Sequence, residues 1–268
     1  RQMCIRDRLY REFYRLIDNK DPYKLLKQIS NREALTILKK LNPNTFEDYI
    51  KIAVKANEID YGSVLVVNVD FKKLEEEIKD FKNITFTVDD SEKLRVAIKY
   101  ANSILFLPDN AGEVIFDIPL LKYIAHFIPK HKIIIAAKDS PMLNDVTIDE
   151  LKELGFDKYG TLISIGSNCF GLHEDNVSQE FKQILKNINV IIAKGQAYLE
   201  FFTEYNFTNV FNIARIKYPI IDNFLPQLNT GQNVVLSSQR YANSKKPYNF
   251  GDHTKNIISV SRSTKILH

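Results

Sequence analysis

The sequence SILFLPDNAGEVIFDIPLLKYIAHF, residues 103–127, encodes a strand, a turn and a helix in immediate succession. Residues 104–107 are an apolar run, which predicts a strand buried on both faces. Pro108 ends that strand, because proline has no N–H to donate. The DNAG sequence of residues 109–112 turns the chain, and Glu113 begins a mostly apolar helix. The turn is either an ordinary helix cap or a ligand site, since open α/β sheets bind ligands where their strands end.

Apolar runs alternate with amphipathic helices after residue 63. The predicted strands are residues 63–67, 84–88, 104–107, 132–137, 161–165, 190–193, 210–213 and 234–236. Predicted helices lie between most of them, as at residues 91–101 and 178–186, and a capping box at residues 147–150 begins another. Strands separated by helices of this length predict an α/β fold with three layers, α/β/α, around a mostly parallel sheet.

The chain divides into three parts by its residue pattern. Residues 1–62 show helical spacing and no strand period, which predicts a helical N-terminal subdomain. Within it, residues 1–8 fit neither pattern, and we interpret them as a candidate non-native extension. Residues 63–238 contain the predicted sheet, and residues 239–268 form a polar, basic tail to which the sequence assigns no role.

Composition argues against several classes of protein. The 268 residues carry a net charge of +4 with acidic and basic residues interspersed, so we expect no nucleic-acid partner. Apolar runs fall short of the roughly 20 residues of a membrane span and no signal peptide is recognisable, so we expect no membrane partner. Cys4 and Cys169 are too few for a disulfide framework, which predicts a cytoplasmic protein. Five histidines without ligand spacing argue against a histidine-rich zinc site.

Polar residues follow four of the predicted strands. Because parallel strands end at the same edge of a sheet, the loops after residues 107, 137, 165 and 193 should lie side by side. These loops contain Asp109 and Asn110; Lys138, Asp139, Ser140, Asn144 and Asp145; Gly166, Ser167 and Asn168; and Lys194, Gly195 and Gln196. Each group alone is also typical of an ordinary turn or strand end. Together they predict carboxylates, amides, hydroxyls and lysines at one rim.

The predicted rim has the parts needed to transfer a phosphoryl group to water. Oxygens of Asp109, Asn110 and Asp145 suit a hard cation such as Mg²⁺ or Mn²⁺, which keeps several waters and takes a substrate phosphate as a further ligand. Gly166 and Ser167, before a helix, offer backbone N–H groups to an anion. A lysine after the fourth strand adds positive charge. Metal, lysine and N–H groups together can stabilise the transferring group.

Three separated motifs, DNAGE at 109–113, LNDVT at 143–147 and AKGQ at 193–196, carry a resemblance to a known family. They resemble the domain-of-unknown-function-89 family, the metal-dependent damage-control phosphatases, also known as acidic-residue-methyltransferase-like proteins. Further similarity lies in KDPY at 20–23, SNREA at 30–34, KANEIDYG at 55–62 and IGSNCFG at 165–171. The resemblance covers about residues 9–236, and three motifs in the family's order make it specific.

The resemblance implies an α/β/α fold with a helical N-terminal part, a divalent metal ion and hydrolysis of phosphate monoesters. The family's metal ligands and catalytic residues would fall on Asp109, Asn110 and Asp145, and its phosphate-side lysine on Lys194. Candidate cofactors are Mn²⁺, Mg²⁺, Co²⁺ and Ni²⁺. The partner would be a small phosphorylated metabolite, a sugar phosphate or a related damaged compound. Residues expected to contact this substrate are Asn57, Asp60, Gly166, Ser167, Lys194 and Gly195.

Two other functions remain open from the sequence. The family's second name suggests a carboxyl methyltransferase using S-adenosylmethionine, but no G-x-G-x-x-G follows an early strand. A non-catalytic binder of phosphorylated ligands is the other alternative, because Cys4 stands alone where one branch of the family carries a Cys-x-x-Cys pair. A further departure is Pro119, which is expected to kink the helix after the DNAGE motif or to end its first part.

Overall fold

One seven-stranded sheet forms the centre of the molecule. The computed structural model describes residues 2–59, 71–167, 169, 172, 176–205, 207–219, 225 and 227–241. In chain order the strands are β1 (Val88–Asp89), β2 (Ile104–Leu107), β3 (Ile133–Ala137), β4 (Thr161–Ser164), β5 (Val190–Lys194), β6 (Val210–Arg215) and β7 (Asn233–Ser237). They lie side by side in the order β1-β7-β6-β5-β2-β3-β4.

Most neighbouring strands run parallel. All pairs from β6 through β5, β2 and β3 to β4 are parallel. β7 is antiparallel to β6, and the edge strand β1 is parallel to β7. The carboxyl ends of β2, β3 and β5 therefore meet at one edge of the sheet, and the DNAGE, LNDVT and AKGQ motifs lie where these strands end. The predicted α/β fold with a mostly parallel sheet is confirmed.

Helices cover both faces of the sheet. They are α1 (Gln2–Leu16), α2 (Lys24–Lys40), α3 (Phe46–Ala56), α4 (Phe71–Lys79), α5 (Ser91–Tyr100), α6 (Ile118–Phe127), α7 (Ile148–Glu153), α8 (Gln179–Asn187) and α9 (Gln196–Glu204). Side chains of β2 alternate between two cores: Ile104 and Phe106 pack with α2 to α7, whereas Leu105 and Leu107 pack with α8 and α9. Successive side chains of a strand point to opposite faces of the sheet, and here helices bury both faces. The sheet is therefore the middle one of three layers.

The N-terminal helices share a core with the sheet. Ile37 of α2 and Ile50 of α3 are buried in the same core as Ile104 of β2. The prediction that the first eight residues fit no helix was wrong, because α1 begins at Gln2. Arginine, glutamine and methionine are good helix formers, so intrinsic propensity extends this helix beyond the apolar pattern. The predicted boundary at residue 62 lies outside the described residues, and so do residues 242–268 of the predicted tail, 239–268.

One predicted strand, residues 63–67, lies outside the described part of the chain, and another differs from the structure. Of residues 84–88, only Val88 joins the sheet, where β1 pairs with β7 over two residues. Ile84 and Phe86 pack against the core without belonging to a strand. Their apolar alternation therefore reflects burial rather than strand pairing.

The segment after the DNAGE motif is divided where Pro119 predicts it. Residues Glu113–Asp117 form a 3-10 turn, and α6 follows with Pro119 in its first turn. Proline is well accommodated there, because the first N–H groups of a helix have no partner within it. The break leaves Glu113 and Asp117 beneath the end of β2, both fully buried.

Two findings bear on the expectations from composition. Cys169 is a buried, free thiol. Within the described part of the chain, every helix is too short or too polar to cross a membrane.

Candidate active site

The loop after β2 and the loop that carries the LNDVT motif are joined through their backbones. Asn110 and Asp145 face each other in an isolated antiparallel bridge. The Val146 N–H donates to the Asp109 carbonyl at 3.0 Å, and the Ala111 N–H donates to the Asn144 carbonyl at 2.9 Å. Residues paired in this way have Cα atoms roughly 4.5–5.5 Å apart. The structure thus brings Asp109, Asn110 and Asp145 together.

The Asp109 carboxylate is held by an amide and lies against a glycine. Asn57, which follows α3, donates from Nδ2 to Asp109 Oδ2 at 3.1 Å. A Cβ added at Gly195 would lie 1.9 Å from the same Oδ2. Gly195 also has φ +86°, a conformation that a side chain disfavours. Glycine is therefore required here twice, for its backbone conformation and for the closeness of Asp109.

The Asp145 carboxylate lies among a lysine and a tyrosine. Lys138, the residue after β3, forms an ion pair with Asp145 and is 3 % exposed. Tyr198, in the first turn of α9, is also buried. Burial, together with the negative charges of Asp145 and Asp109, raises the pKa of Tyr198 well above its ordinary value. Tyr198 therefore stays a neutral phenol beside the two carboxylates.

A fully buried charge cluster lies beneath the loop after β2. The Lys194 ammonium donates to the Ala53 carbonyl at 3.0 Å, to Glu113 Oε1 at 2.7 Å and to Asp117 Oδ1 at 2.8 Å. Burial opposes the charged form of Lys194, but Asp117 and Glu113 outweigh it and raise the pKa of the ammonium. Burial and the charge of Glu113, partly offset by Lys194, raise the pKa of Asp117 to about 7.

Two N-terminal helices bind the backbones of both loops. Asn31 of α2 accepts a hydrogen bond from the Gly112 N–H through Oδ1 at 2.6 Å. The hydroxyl of Tyr14, on α1, accepts one from the Leu143 N–H at 3.0 Å. The helical segment therefore helps to fix the loops that carry Asn110 and Asp145.

A second buried lysine joins α2 to the start of α7. Lys27 is 0 % exposed and pairs with Asp21 at 3.0 Å and with Glu150 at 2.8 Å. Glu150 also completes the predicted capping box, since its Oε2 accepts from the Thr147 N–H at 2.8 Å. Thr147 lies two residues after Asp145, so this contact also helps to fix the loop that carries Asp145.

A cavity of about 540 Å³ lies between α2 and the start of α7, beside the two loops. It is lined by Asp21, Lys24, Gln28, Asn31, Arg32, Leu35, Asp139, Pro141, Thr147, Asp149, Glu150, Glu153 and Leu154. Asn31 and Thr147 connect this lining to the loops described above. The volume is within the range of sites for small molecules.

Comparison with known proteins identifies the family. The damage-control phosphatase ARMT1-like domain matches residues 3–231. The chain belongs to this family. The match includes the DNAGE, LNDVT and AKGQ motifs, so the sequence-based resemblance is confirmed.

Individual relatives of this family give the same assignment. A damage-control phosphatase of Pyrococcus horikoshii is 34 % identical over 216 residues, 80 % of this chain and 74 % of that protein. A damage-control phosphatase of Archaeoglobus fulgidus is 26 % identical over 204 residues, 72 % of this chain and 68 % of the relative. The crystal structure of a DUF89 family protein from P. horikoshii matches with a TM-score of 0.77 and 31 % identity, covering 87 % of this chain and 80 % of that one. These relatives support a phosphatase role with a small phosphorylated substrate.

The donor set of the ARMT1-like chain fits a hard divalent cation. Asp109, Asn110 and Asp145 offer two carboxylates and one amide, the oxygen ligands that such ions prefer. Within the described residues, no group of three or more His, Cys, Asp and Glu side chains is arranged to hold a metal. The candidate set here combines two carboxylates with the amide of Asn110. Glu113, Asp117, Lys138 and Lys194 are connected to these residues by ion pairs and hydrogen bonds, and carboxylates here outnumber ammonium groups by four to two.

Two residues of the predicted site lie differently from the expectation. Lys194 is 0 % exposed and its three N–H groups all bind protein oxygens, so its ammonium lies beneath the rim. Asn57 is also fully buried: Nδ2 donates to Asp109 and Glu113, and Oδ1 accepts from the Arg215 N–H at 3.0 Å. Both side chains are thus buried and hydrogen-bonded within the protein.

Both glycines predicted to contact the substrate have N–H groups that bind acceptors within the protein. The Gly166 N–H donates to Ser164 Oγ at 2.7 Å, and the Gly195 N–H donates to the Ile213 carbonyl at 3.1 Å. Ser167 is buried in the loop after β4, where its hydroxyl accepts from the Cys169 N–H at 3.0 Å. Asp60 and Asn168 lie outside the described residues.

The sequence-based prediction missed Glu113, Asp117, Lys138 as an ion-pair partner, and Tyr198. A signal for the first two was present, because Glu113 and Asp117 are acidic residues four apart in an otherwise apolar segment. Carboxylates in a buried segment require a cationic partner, and Lys194 is the one that this fold supplies. Tyr198 had no comparable signal, since tyrosine is common in buried helices.

Proposed function

We propose that this chain is a divalent-metal-dependent phosphatase of phosphate monoesters on small metabolites, with sugar phosphates as the favoured class. The observation that carries the proposal is the Asn110–Asp145 bridge, which places an amide and two carboxylates at the end of the parallel strands. Asp109, Asn110 and Asp145 would hold the ion, and Mn²⁺, Mg²⁺, Co²⁺ and Ni²⁺ are the candidates. When bound, such an ion supplies polarisation of phosphoryl oxygens and a water of lowered pKa.

Lys138 is our candidate for the cation that neutralises the substrate phosphate. It follows β3 directly and its ion-pair partner is the candidate ligand Asp145, whereas the carboxylate partners of Lys194 are Glu113 and Asp117 beneath the rim. A lysine at this position adds positive charge where negative charge develops during phosphoryl transfer. Tyr198, kept neutral by its surroundings, is a further hydrogen-bond donor close to the carboxylates.

The lining of the cavity beside the loops favours a substrate with one phosphate group and a polar organic part. Five of its lining residues are acidic and two are basic. Carboxylates accept hydrogen bonds from sugar hydroxyls and repel additional phosphate groups. We therefore expect sugar monophosphates to be hydrolysed in preference to nucleoside di- and triphosphates. A cytoplasmic location stays an expectation from the two-cysteine composition.

Hydrolysis of p-nitrophenyl phosphate by the full chain tests the proposal. We expect activity with at least one of the four ions and its loss on addition of a chelator. Asp109→Ala and Asp145→Ala should each reduce activity by about 100-fold or more, a loss typical when a group that stabilises the transition state is removed.

Asp157→Ala is the matched control. Asp157 is exposed in the turn that precedes β4, at the opposite edge of the sheet, so its removal should leave activity unchanged. Full activity of the Asp109 and Asp145 variants, or activity that is insensitive to chelator, would contradict the proposal. Methyl transfer from S-adenosylmethionine without metal would favour the alternative enzyme, and binding of phosphorylated ligands without turnover the non-catalytic one.

A further inference from the structure

Glu113 is a buried carboxylate that connects a lysine to two amides. Its Oε1 accepts from the Lys194 ammonium at 2.7 Å. Its Oε2 accepts from Nδ2 of Asn57 at 2.9 Å and from Nδ2 of Asn110 at 3.1 Å. Glu113 is 0 % exposed, so these three donors take the place of water around its charge.

The contact with Glu113 determines which edge of the Asn110 amide faces away from Glu113. An asparagine side chain donates from its nitrogen and accepts through its oxygen, whereas a carboxylate only accepts. Nδ2 of Asn110 therefore has to face Glu113, and Oδ1 lies on the opposite edge of the amide. Asn110 is 3 % exposed, and its backbone is fixed by the bridge to Asp145.

The orientation of an amide matters beside a cation. The two edges of an asparagine have nearly the same shape, so packing alone distinguishes them poorly. If the amide turned over, its N–H groups would face the cation in place of the oxygen, and a ligand would be lost. The charge of Glu113 prevents this, because it attracts the donor edge.

A second path runs from Glu113 to Asp109. The two hydrogens of the Asn57 amide bind Glu113 and Asp109 Oδ2, the latter at 3.1 Å. The carbonyl of that amide is fixed by the Arg215 N–H. Glu113 thus contacts one candidate ligand directly and reaches a second through one hydrogen-bonded amide.

We propose that Glu113 is a positioning residue that turns the Asn110 amide so that its oxygen faces the metal site. Lys194 holds Glu113 in place and balances its charge. This inference rests on the proposed function, since it requires Asn110 to be a metal ligand. Groups that orient ligands in this way typically change metal affinity 10–100-fold when they are replaced.

Glu113→Gln is the first test, with Mn²⁺ binding to the metal-free full chain measured by calorimetry. The introduced amide can still accept from Lys194 through its oxygen, but its N–H groups then meet the donor edges of Asn57 and Asn110. We expect the Kd for Mn²⁺ to rise 10–100-fold. An unchanged Kd would overturn the inference.

The double variant Glu113→Gln, Asn110→Asp distinguishes a loss of amide orientation from general damage to the structure. A carboxylate at position 110 has oxygens on both edges, so its orientation no longer matters. When Asn110→Asp is already present, Glu113→Gln should therefore weaken Mn²⁺ binding less than about threefold, or strengthen it. In the wild-type background the same substitution should weaken binding 10–100-fold. Equal losses in both backgrounds would show a merely structural role and overturn the inference.

NMR of the wild-type chain measures the orientation of the Asn110 amide itself. The side-chain NH₂ signals of Asn110, assigned by their loss in Asn110→Asp, should exchange slowly with solvent and persist when Mg²⁺ is added. Rapid exchange, or release of this NH₂ on Mg²⁺ binding, would contradict the assigned orientation.

The two proposals fail in different ways. A wild-type chain that binds no Mn²⁺ and shows no metal-stimulated hydrolysis would overturn both. A wild-type chain that binds Mn²⁺ and hydrolyses p-nitrophenyl phosphate, while Glu113→Gln binds Mn²⁺ equally well, would overturn only the role of Glu113.

Discussion

Among the residues that the structure describes, two lysines are fully buried, and each pairs with two carboxylates. Lys27 joins Asp21 to Glu150, and Lys194 joins Glu113 to Asp117. The carboxylate partners of Lys27 keep 17 % of their side-chain surface exposed, whereas those of Lys194 keep none. Water can therefore replace Lys27 at its partners, but it cannot replace Lys194 without opening the core.

The two lysines also support different parts of the site. Lys27 ties helix α2 to the residue that caps α7, shortly after the Asp145 loop. Lys194 supports Glu113, which contacts the amide of Asn110 directly. Lys27 therefore mainly fastens the helical segment to the sheet. Lys194, in contrast, stabilises the charge of Glu113, and Glu113 orients the candidate ligand Asn110.

Lys194→Met should have the largest effect on stability. It leaves Glu113 and Asp117 buried without a cation, and removal of one member of a buried ion pair typically costs about 3–5 kcal/mol. Urea unfolding measures the change in the free energy of unfolding. Lys122→Met, at an exposed position of α6, is the control and should change it by less than about 0.5 kcal/mol. A loss for Lys194→Met as small as the control would refute the assigned role of the cluster.

Lys27→Met should cost less, about 1–3 kcal/mol, because water can reach Asp21 and Glu150 in the variant. The same urea experiment applies, with Lys24→Met, exposed on the same helix, as the control. A cost equal to that of Lys194→Met would show that partial exposure of the partners does not matter, which would remove the basis of the comparison.

Asp117→Asn should change how stability depends on pH. The pKa of Asp117 is about 7 in the folded chain and about 3.9 in the unfolded one, so the folded state binds more protons between these values. This group therefore makes stability fall as pH rises from about 4 to about 7, by at most about 1.4 kcal/mol per pH unit. The variant should lack this contribution. The unfolding free energy of the variant should therefore increase relative to that of the wild type as pH rises. Parallel pH profiles would contradict the assignment.

Thr147→Ala should have the smallest effect, about 1 kcal/mol, since it removes one helix cap. The Thr147 side chain accepts from the Glu150 N–H, while Glu150 keeps its ion pair with Lys27. Thermal unfolding measures the loss, and Thr147→Ser should restore most of the stability. If serine stabilised no better than alanine, the cap would not be the source of the effect.

Much of the fold was predictable because buried parallel strands have a strong signal. β2 and β5 are continuous apolar runs bounded by Pro, Gly and helix caps, and the structure places both in the centre of the sheet. β1 was poorly predicted, because two residues at an edge have little pattern. The antiparallel direction of β7 was not foreseen either, since strand composition does not encode direction.

The site was predictable as a set of loops, but the orientation of its side chains was not. Lys194 shows the reason. The prediction ended β5 at Ala193, which left Lys194 in the rim loop, whereas the strand continues through Lys194. Because side chains alternate along a strand, that one residue directs the lysine to the face of Ile192 and into the core. A boundary error of one residue is common, and here it changes a rim cation into a buried one.

The most direct test of the proposed metal site is anomalous diffraction from crystals of the full chain grown with Mn²⁺. We expect one strong peak within roughly 2.0–2.6 Å of oxygens from Asp109, Asn110 and Asp145, with Oδ1 as the Asn110 ligand. A peak elsewhere, or no peak at a concentration of Mn²⁺ that supports hydrolysis, would contradict the proposed site.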